Sequence, residues 1–377
     1  MKRVITITFL NYFVSGALTL IIPLLLLDRN VNLAEIGLVL SIMPLVFLLV
    51  RLLLAALADQ LGWAPFFILV NWPGTLFSTV IYFFANSIPA FFAGKIVEGV
   101  KESAYWAVNR TAIFSLSPKR KENEATRMNA VIWLSTAIGS AAAGIGIAYV
   151  GFSSTIGILI IASTMMGIPA GLLWNTRKKS SGPKSKTSSV IALLNPRGRN
   201  RTFWLVSTSL LFNSLATYPL ITLLLPVFMD QQLGYSYISI GSAYMLYNVV
   251  AALVTLLTLK MPLNAGRVAI QSLISLFAAF LLANSSFYFL ALFLALAVAR
   301  GLGIGLFESI IAKVTKTTPI VSVDIALLHV FTRVAEFASV LSAGFVAQSL
   351  GYAPVFAASG VFFAVFSISS FYILRNR

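Results

Sequence analysis

The sequence predicts an all-α integral membrane protein, with twelve transmembrane helices in two pseudo-symmetric six-helix bundles. Three observations predict it. About a dozen apolar stretches are each long enough to cross a bilayer, whose ~30 Å hydrocarbon core needs ~20 apolar residues per helix. The chain is 59% hydrophobic and 10% charged over 377 residues, which leaves too little polar surface for a water-soluble domain. One basic segment, Arg177 to Arg201, divides the stretches into six and six.

The expected spans of the first half are 4–27, 35–57, 64–85, 88–115, 125–150 and 153–174. Those of the second half are 202–228, 235–259, 265–283, 286–312, 320–349 and 352–374. The first follows Met1-Lys2-Arg3 and runs on to Leu27. That is longer than a signal-peptide core, and no small-x-small cleavage site follows, so it is read as a membrane helix. Runs such as Leu18–Leu27 and Val355–Leu374 lack the alternation of a membrane β-barrel strand. The segment between the halves is rich in Ser, Lys, Pro and Gly and reads as a flexible linker. The expected organisation is therefore a first bundle at 1–175, a basic linker at 176–201 and a second bundle at 202–377.

The net charge of +16 is a topology signal and not a nucleic-acid footprint. Twenty of the 27 Lys and Arg fall at the termini, in the central segment and in the loops on the same side as these; the alternate loops hold only Arg29. The positive-inside rule then puts both termini and the linker in the cytoplasm, with the cell membrane as the expected location. No cysteine is present, no metal-ligating cluster has a metal-site spacing, and no Gly-rich phosphate loop occurs. No cofactor, metal or enzymatic activity is expected.

The two halves repeat. Asn11, Ser15 and Pro23 parallel Asn213, Thr217 and Pro226. Gly99, Glu102 and Ser103 parallel Gly305, Glu308 and Ser309, while Gly144 and Gly151 parallel Gly344 and Gly351. Such a repeat points to two homologous bundles around a midplane site. With these features the chain resembles the major facilitator superfamily along almost its whole length. The family's signature loop between helices two and three is represented by Leu57-Ala58-Asp59-Gln60-Leu61-Gly62, without its basic residues. Lys95 and Gly99 stand where the family has an Arg and, four residues on, a Gly. The antiporter motif of helix five lacks its Pro. The resemblance implies secondary transport by alternating access, a central path lined by helices one, four, seven and ten, and a gating role for Asp59 and Gly62.

Ionisable residues inside the membrane face a cavity or a partner, because burying one costs ~2.5–3.5 kcal/mol on insertion scales. Lys95, Glu98, Glu102 and Asn109 share one face of the fourth helix, bordered by Trp106. Lys95 and Glu98 are spaced to pair, and Lys101 lies on the flank. Glu98 and Glu102 are one turn apart, and two carboxylates that close resist double ionisation. A carboxyl that binds and releases a proton is what proton coupling requires. Arg300 and Glu308 on the tenth helix are expected to face this group from the second half. The same residues would equally serve as an ion-pair network between helices. His329, Arg333 and Glu336 form a second charged stripe on the eleventh helix, and the only histidine is the side chain most readily switched near neutral pH. Arg51 is expected to reach the membrane surface or meet Asp59. Asn11, Ser15, Asn109, Asn213, Thr217, Tyr244, Tyr247 and Asn248 are the uncharged candidates for solute binding.

The expected function is transport of a small organic solute coupled to protons, by a protein able to act as a monomer in the lipid bilayer. The alternatives are a uniporter, in which the charges act as gates, and a receptor or scaffold that has the fold without transport.

Overall fold

The computed structural model describes residues 1–117, 121–174, 199–258, 261, 264–284, 287–315 and 321–375. The expected linker lies outside them apart from its last three residues. The spanning segments are helical, as hydrocarbon demands of any backbone that must bond its own polar groups. In chain order they are α1 (Lys2–Asp28), α2 (Leu33–Leu61), α3 (Ala64–Phe84) and α4 (Ile88–Leu116). The helix Lys121–Met165 bends back at Gly151; its arms are α5 (121–150) and α6 (152–165), the latter continued by Gly167–Leu172. The second half holds α7 (Arg201–Gln231), α8 (Tyr237–Thr258), α9 (Ala265–Asn284) and α10 (Phe289–Thr315). It ends with α11 (Val321–Leu328 and Val330–Leu350) and α12 (Ala353–Arg375).

Among the described residues, ten segments are long and apolar enough to cross a membrane. Two features account for the difference from twelve. The α5 and α6 arms count as one segment of 49 residues. In α4, Lys95, Glu98, Lys101, Glu102 and Arg110 lower the apolarity, and all five are buried. Its charges face protein and not lipid.

Helices α3, α7 and α11 depart from continuous α geometry where the sequence predicts unbroken spans. α3 contains a π-helical stretch at Phe67–Asn71 and α7 one at Leu220–Leu224, the latter between Pro219 and Pro226. α11 breaks at His329 (φ −91°, ψ 4°). There the ring Nδ1 lies 2.7 Å from the Ile325 carbonyl oxygen, which also accepts the His329 backbone N–H at 3.3 Å.

The repeat has a structural counterpart. Gly151 and Gly351 adopt the same left-handed turn, φ 79° and 82°, a conformation that favours glycine. On the face away from the termini, Gly144 of α5 packs on Gly241 of α8, and Gly344 of α11 packs on Gly37 of α2. A Cβ at 144 would lie 2.9 Å from the Gly241 Cα, and one at 344 would lie 3.2 Å from the Gly37 Cα. Gly144 and Gly344 correspond in the repeat, and each meets a glycine near the start of the second helix of the other bundle.

These contacts belong to an apolar cluster that runs through both bundles, including Leu24 and Val39 from the first and Leu224 and Ile240 from the second. Towards the terminal face the cores separate. One cluster, with Tyr105 and Val108, belongs to the first bundle, and another, with Phe203 and Leu306, to the second. Ala326 at the start of α11 and Ala56 of α2 cross between them.

Close backbone contacts do not tolerate added volume. Gly144→Val and Gly344→Val should each destabilise by about 1–3 kcal/mol, read as a lower Tm in detergent. Gly171→Ala, where an added Cβ meets nothing within 4 Å, should leave Tm unchanged or higher. Equal melting of all three variants would contradict the packing described.

Candidate functional site: a charged cavity between the bundles

A cavity of about 350 Å³ lies between the bundles, with walls from α1, α2, α4 and α5 on one side and α7, α8, α10 and α11 on the other. A second cavity of about 650 Å³ lies at the face away from the termini. It has no charged lining, and two of its amides are engaged locally: Gln231 accepts from the Tyr352 hydroxyl at 2.9 Å, and Gln348 from the Ala34 N–H at 3.0 Å. The central cavity is the one that collects buried charge.

Its charges come in local pairs. On α4, Lys95 Nζ donates to Glu98 Oε2 at 2.8 Å, and the Tyr82 hydroxyl donates to the same oxygen at 2.8 Å. One turn on, Glu102 Oε1 accepts from Lys101 Nζ at 3.1 Å, Ser15 Oγ at 3.3 Å and Asn11 Nδ2 at 3.4 Å. Its Oε2 accepts from the Tyr12 hydroxyl at 3.3 Å. Lys101 is fully buried, and Gly74 of α3 leaves room for its stem. Each of the two carboxylates thus has its own ammonium, which offsets the like-charge repulsion expected from their spacing.

Glu308 of α10 lines the same cavity from the second bundle, but its bonds go to residues outside this group. It accepts from Arg110 Nη2 of α4 at 2.5 Å and from Asn129 Nδ2 of α5 at 3.0 Å, an ion pair that joins the two bundles. On α11, Arg333 pairs with Glu336, which also accepts from Ser214 Oγ of α7 at 3.2 Å. The Arg333 guanidinium lies 3.8 Å from the centre of the Phe47 ring of α2. Arg51 approaches the same ring at 5.0 Å. It does not reach the surface as expected: it is 2% exposed, and its Nε and Nη1 have no partner among the described residues. Arg300 lies 4.3 Å from the Trp133 ring of α5 and donates to the Tyr247 hydroxyl at 3.4 Å.

Of the uncharged candidates, Ser15, Asn213, Thr217 and Asn248 line the cavity. Asn11 is fully buried behind the wall, where its Oδ1 accepts from Asn71 and Thr75. Tyr244 is buried and donates to the Ile221 carbonyl at 2.8 Å. Tyr247 stacks on Phe293 beside Arg300. Asn109 is buried outside the cavity lining, and its Oδ1 has no partner among the described residues. His329 reaches the cavity from the break in α11. The Asp59 side chain lies outside the described residues, and Gly62 closes α2 with its N–H on the Ala58 carbonyl at 2.9 Å. Sequence reasoning missed Arg110, Asn129, Tyr12 and Trp133. For Arg110 a signal existed: at 100° per residue it lies about 60° from Lys95 on the same helix.

The sequence profile of the Major Facilitator Superfamily matches residues 4–267. The chain belongs to the major facilitator superfamily. The comparison of its sequence with curated proteins returns no match. Among solved structures it is similar to the human organic anion transporter MFSD10 (TETRAN), with a TM-score of 0.73 and 17% identity over 99% of both chains. It is also similar to a bacterial homolog of the human lysosomal transporter Spinster in an inward-facing, unoccupied conformation. There the TM-score is 0.70 and the identity 17%, over 99% of this chain and 96% of that one. At that identity the likeness carries the fold. Within the superfamily pattern, Gly99 beside Lys95 has a packing role, since a Cβ there would lie 2.8 Å from the Met43 carbonyl oxygen of α2.

Removing one member of a buried pair leaves an uncompensated charge, at about 3–5 kcal/mol, whereas removing both costs far less. Lys101→Met should therefore lower Tm sharply, and Lys101→Met with Glu102→Leu should recover much of the loss. A double variant that melts at the sum of the two single losses would show that the pair is not coupled.

Proposed function

We propose that the protein is a secondary active transporter that moves a small organic solute across the cell membrane by alternating access, as a monomer with both termini in the cytoplasm. The observation that carries this reading is the central cavity: a charged space between two bundles, sealed towards one face by continuous apolar packing and bridged towards the other by Arg110–Glu308. The Gly144–Gly241 and Gly37–Gly344 contacts are the natural pivot and seal of one state. In the other state the terminal side would close and these contacts would part. The bundle boundaries are taken as 1–175 and 202–377.

The coupling ion in this reading is the proton, with Glu102 as its site and Glu98 as the alternate. Glu102 ties α4 to α1 through Asn11, Tyr12 and Ser15. Protonation would weaken all of those bonds and the pair with Lys101 together. The charge state of one carboxyl would then bias how two path-lining helices pack, which is the differential interaction a population shift needs. Glu98, Lys95, the Arg333–Glu336 pair and His329 complete the polar wall, and Asn213, Thr217 and Asn248 supply hydrogen bonds to the solute.

The test is internal pH in proteoliposomes, with a panel of sugars, organic acids, amino acids and cationic drugs. A solute-specific pH change in wild type that is abolished in Glu102→Gln is the expected result. Labelled solute that equilibrates without any pH change would make the protein a uniporter and the ion pairs gates. Full solute-driven pH change in Glu102→Gln would remove Glu102 from the coupling role.

A further inference from the structure

Four carboxylates line the central cavity, and each has a cation of its own: Glu98 has Lys95, Glu102 has Lys101, Glu308 has Arg110 and Glu336 has Arg333. Arg300 is the cavity-lining cation left over. Among the described residues it makes no ion pair. Its contacts are the Tyr247 hydroxyl at 3.4 Å and the Trp133 ring at 4.3 Å. A guanidinium within the membrane is costly without a counter-charge, and an aromatic face offsets only part of that cost.

The surroundings select what would complete it. Arg300 lies between the cavity of about 350 Å³ and a cleft of about 20 Å³ behind it. The cleft is too small for a solute, so a ligand reaches the guanidinium from the cavity. The guanidinium fork matches an acidic group with two coplanar oxygens, which it binds through parallel hydrogen bonds. The same cavity wall also carries apolar and aromatic side chains, among them Trp133, Tyr218, Ile132, Ile221 and Ile304. The volume is at the small end of ligand sites.

We infer that Arg300 anchors the acidic group of a small organic monoanion, a carboxylate with an apolar or aromatic body that lies along Trp133. The inference rests on the transport reading only for how the ligand arrives and leaves. Arg300 and Tyr247 come from the second bundle and Trp133 from the first, so the bound anion touches both. It would draw the bundles together at a point where the protein itself supplies a ring and no charge.

The experiment uses purified full-length protein in detergent, with benzoate, 4-phenylbutyrate and 2-naphthoate set against benzylamine and benzyl alcohol. The readout is ligand-dependent Tm together with quenching of tryptophan fluorescence, up to millimolar concentration. At least one carboxylate should raise Tm saturably, while the amine and alcohol do not. Arg300→Gln should weaken that carboxylate roughly tenfold or more, and Arg300→Lys, which keeps the charge but loses the fork, should fall between. Trp133→Phe keeps Arg300 intact and should weaken the aromatic acids, which covers the case of a poorly folded Arg300→Gln. Failure of every carboxylate to bind, preference for the amine or alcohol, or unchanged affinity in Arg300→Gln would each overturn the assignment. Flux separates this inference from the transport reading. A neutral or cationic solute crossing proteoliposomes while no carboxylate binds would overturn the anion site and leave transport standing. A carboxylate that binds through Arg300 but never crosses would support the site and count against transport.

Discussion

A charge within a bilayer is costly unless it is paired, and the four ion pairs around the central cavity arrange the interior of this protein. Five ionisable residues on α4 would make it a poor membrane helix if any faced lipid, and all five are buried. Their partners determine what α4 packs against. Lys101 and Glu102 hold α1 through Asn11, Tyr12 and Ser15. Arg110 reaches across to Glu308 on α10. Pairing of this kind gives little net stability, but breaking it is costly. It therefore specifies which helices meet more than it strengthens the fold.

At its two faces the protein joins its bundles by different physics. Away from the termini, α5 meets α8 and α2 meets α11 at glycines, inside an apolar cluster shared by both bundles. Towards the termini the apolar cores are largely separate, and the bridge is an ion pair with a supporting amide, Arg110, Glu308 and Asn129. Polar bridges can exchange for water or for a solute, whereas glycine seams part only when backbones move as rigid bodies. A cavity between one junction of each kind suits a protein with two states, since a small change in ionisation or occupancy biases the polar side.

Much of the fold was legible because hydrophobic length and charge position are local properties. The two halves, their order and the pairing of Gly151 with Gly351 follow from the repeat, and both residues adopt the same turn. The interruptions were not legible. The π stretches in α3 and α7 and the break at His329 depend on where carbonyls find donors, which hydropathy does not encode. The charged stripe on α4 follows from helical phase, yet phase along one helix cannot name partners on others. Glu308 was placed opposite Glu102 by the repeat, but its partner is Arg110. Arg51 resembles a snorkelling residue in sequence and is buried beside Phe47 in the structure. Asn109 has the right phase, but at its level the cavity is lined by Trp106 and Arg110 instead.

The claim that everything else rests on is that this one cavity opens to both sides of the membrane. The chain has no cysteine, so a single thiol placed at Thr217, which lines the cavity, reports on it alone. The measurement is alkylation of Thr217→Cys by a membrane-impermeant maleimide, in right-side-out and in inside-out vesicles. The account predicts labelling from both sides. Labelling from one side only, however long the reaction and whatever solute is present, would contradict it.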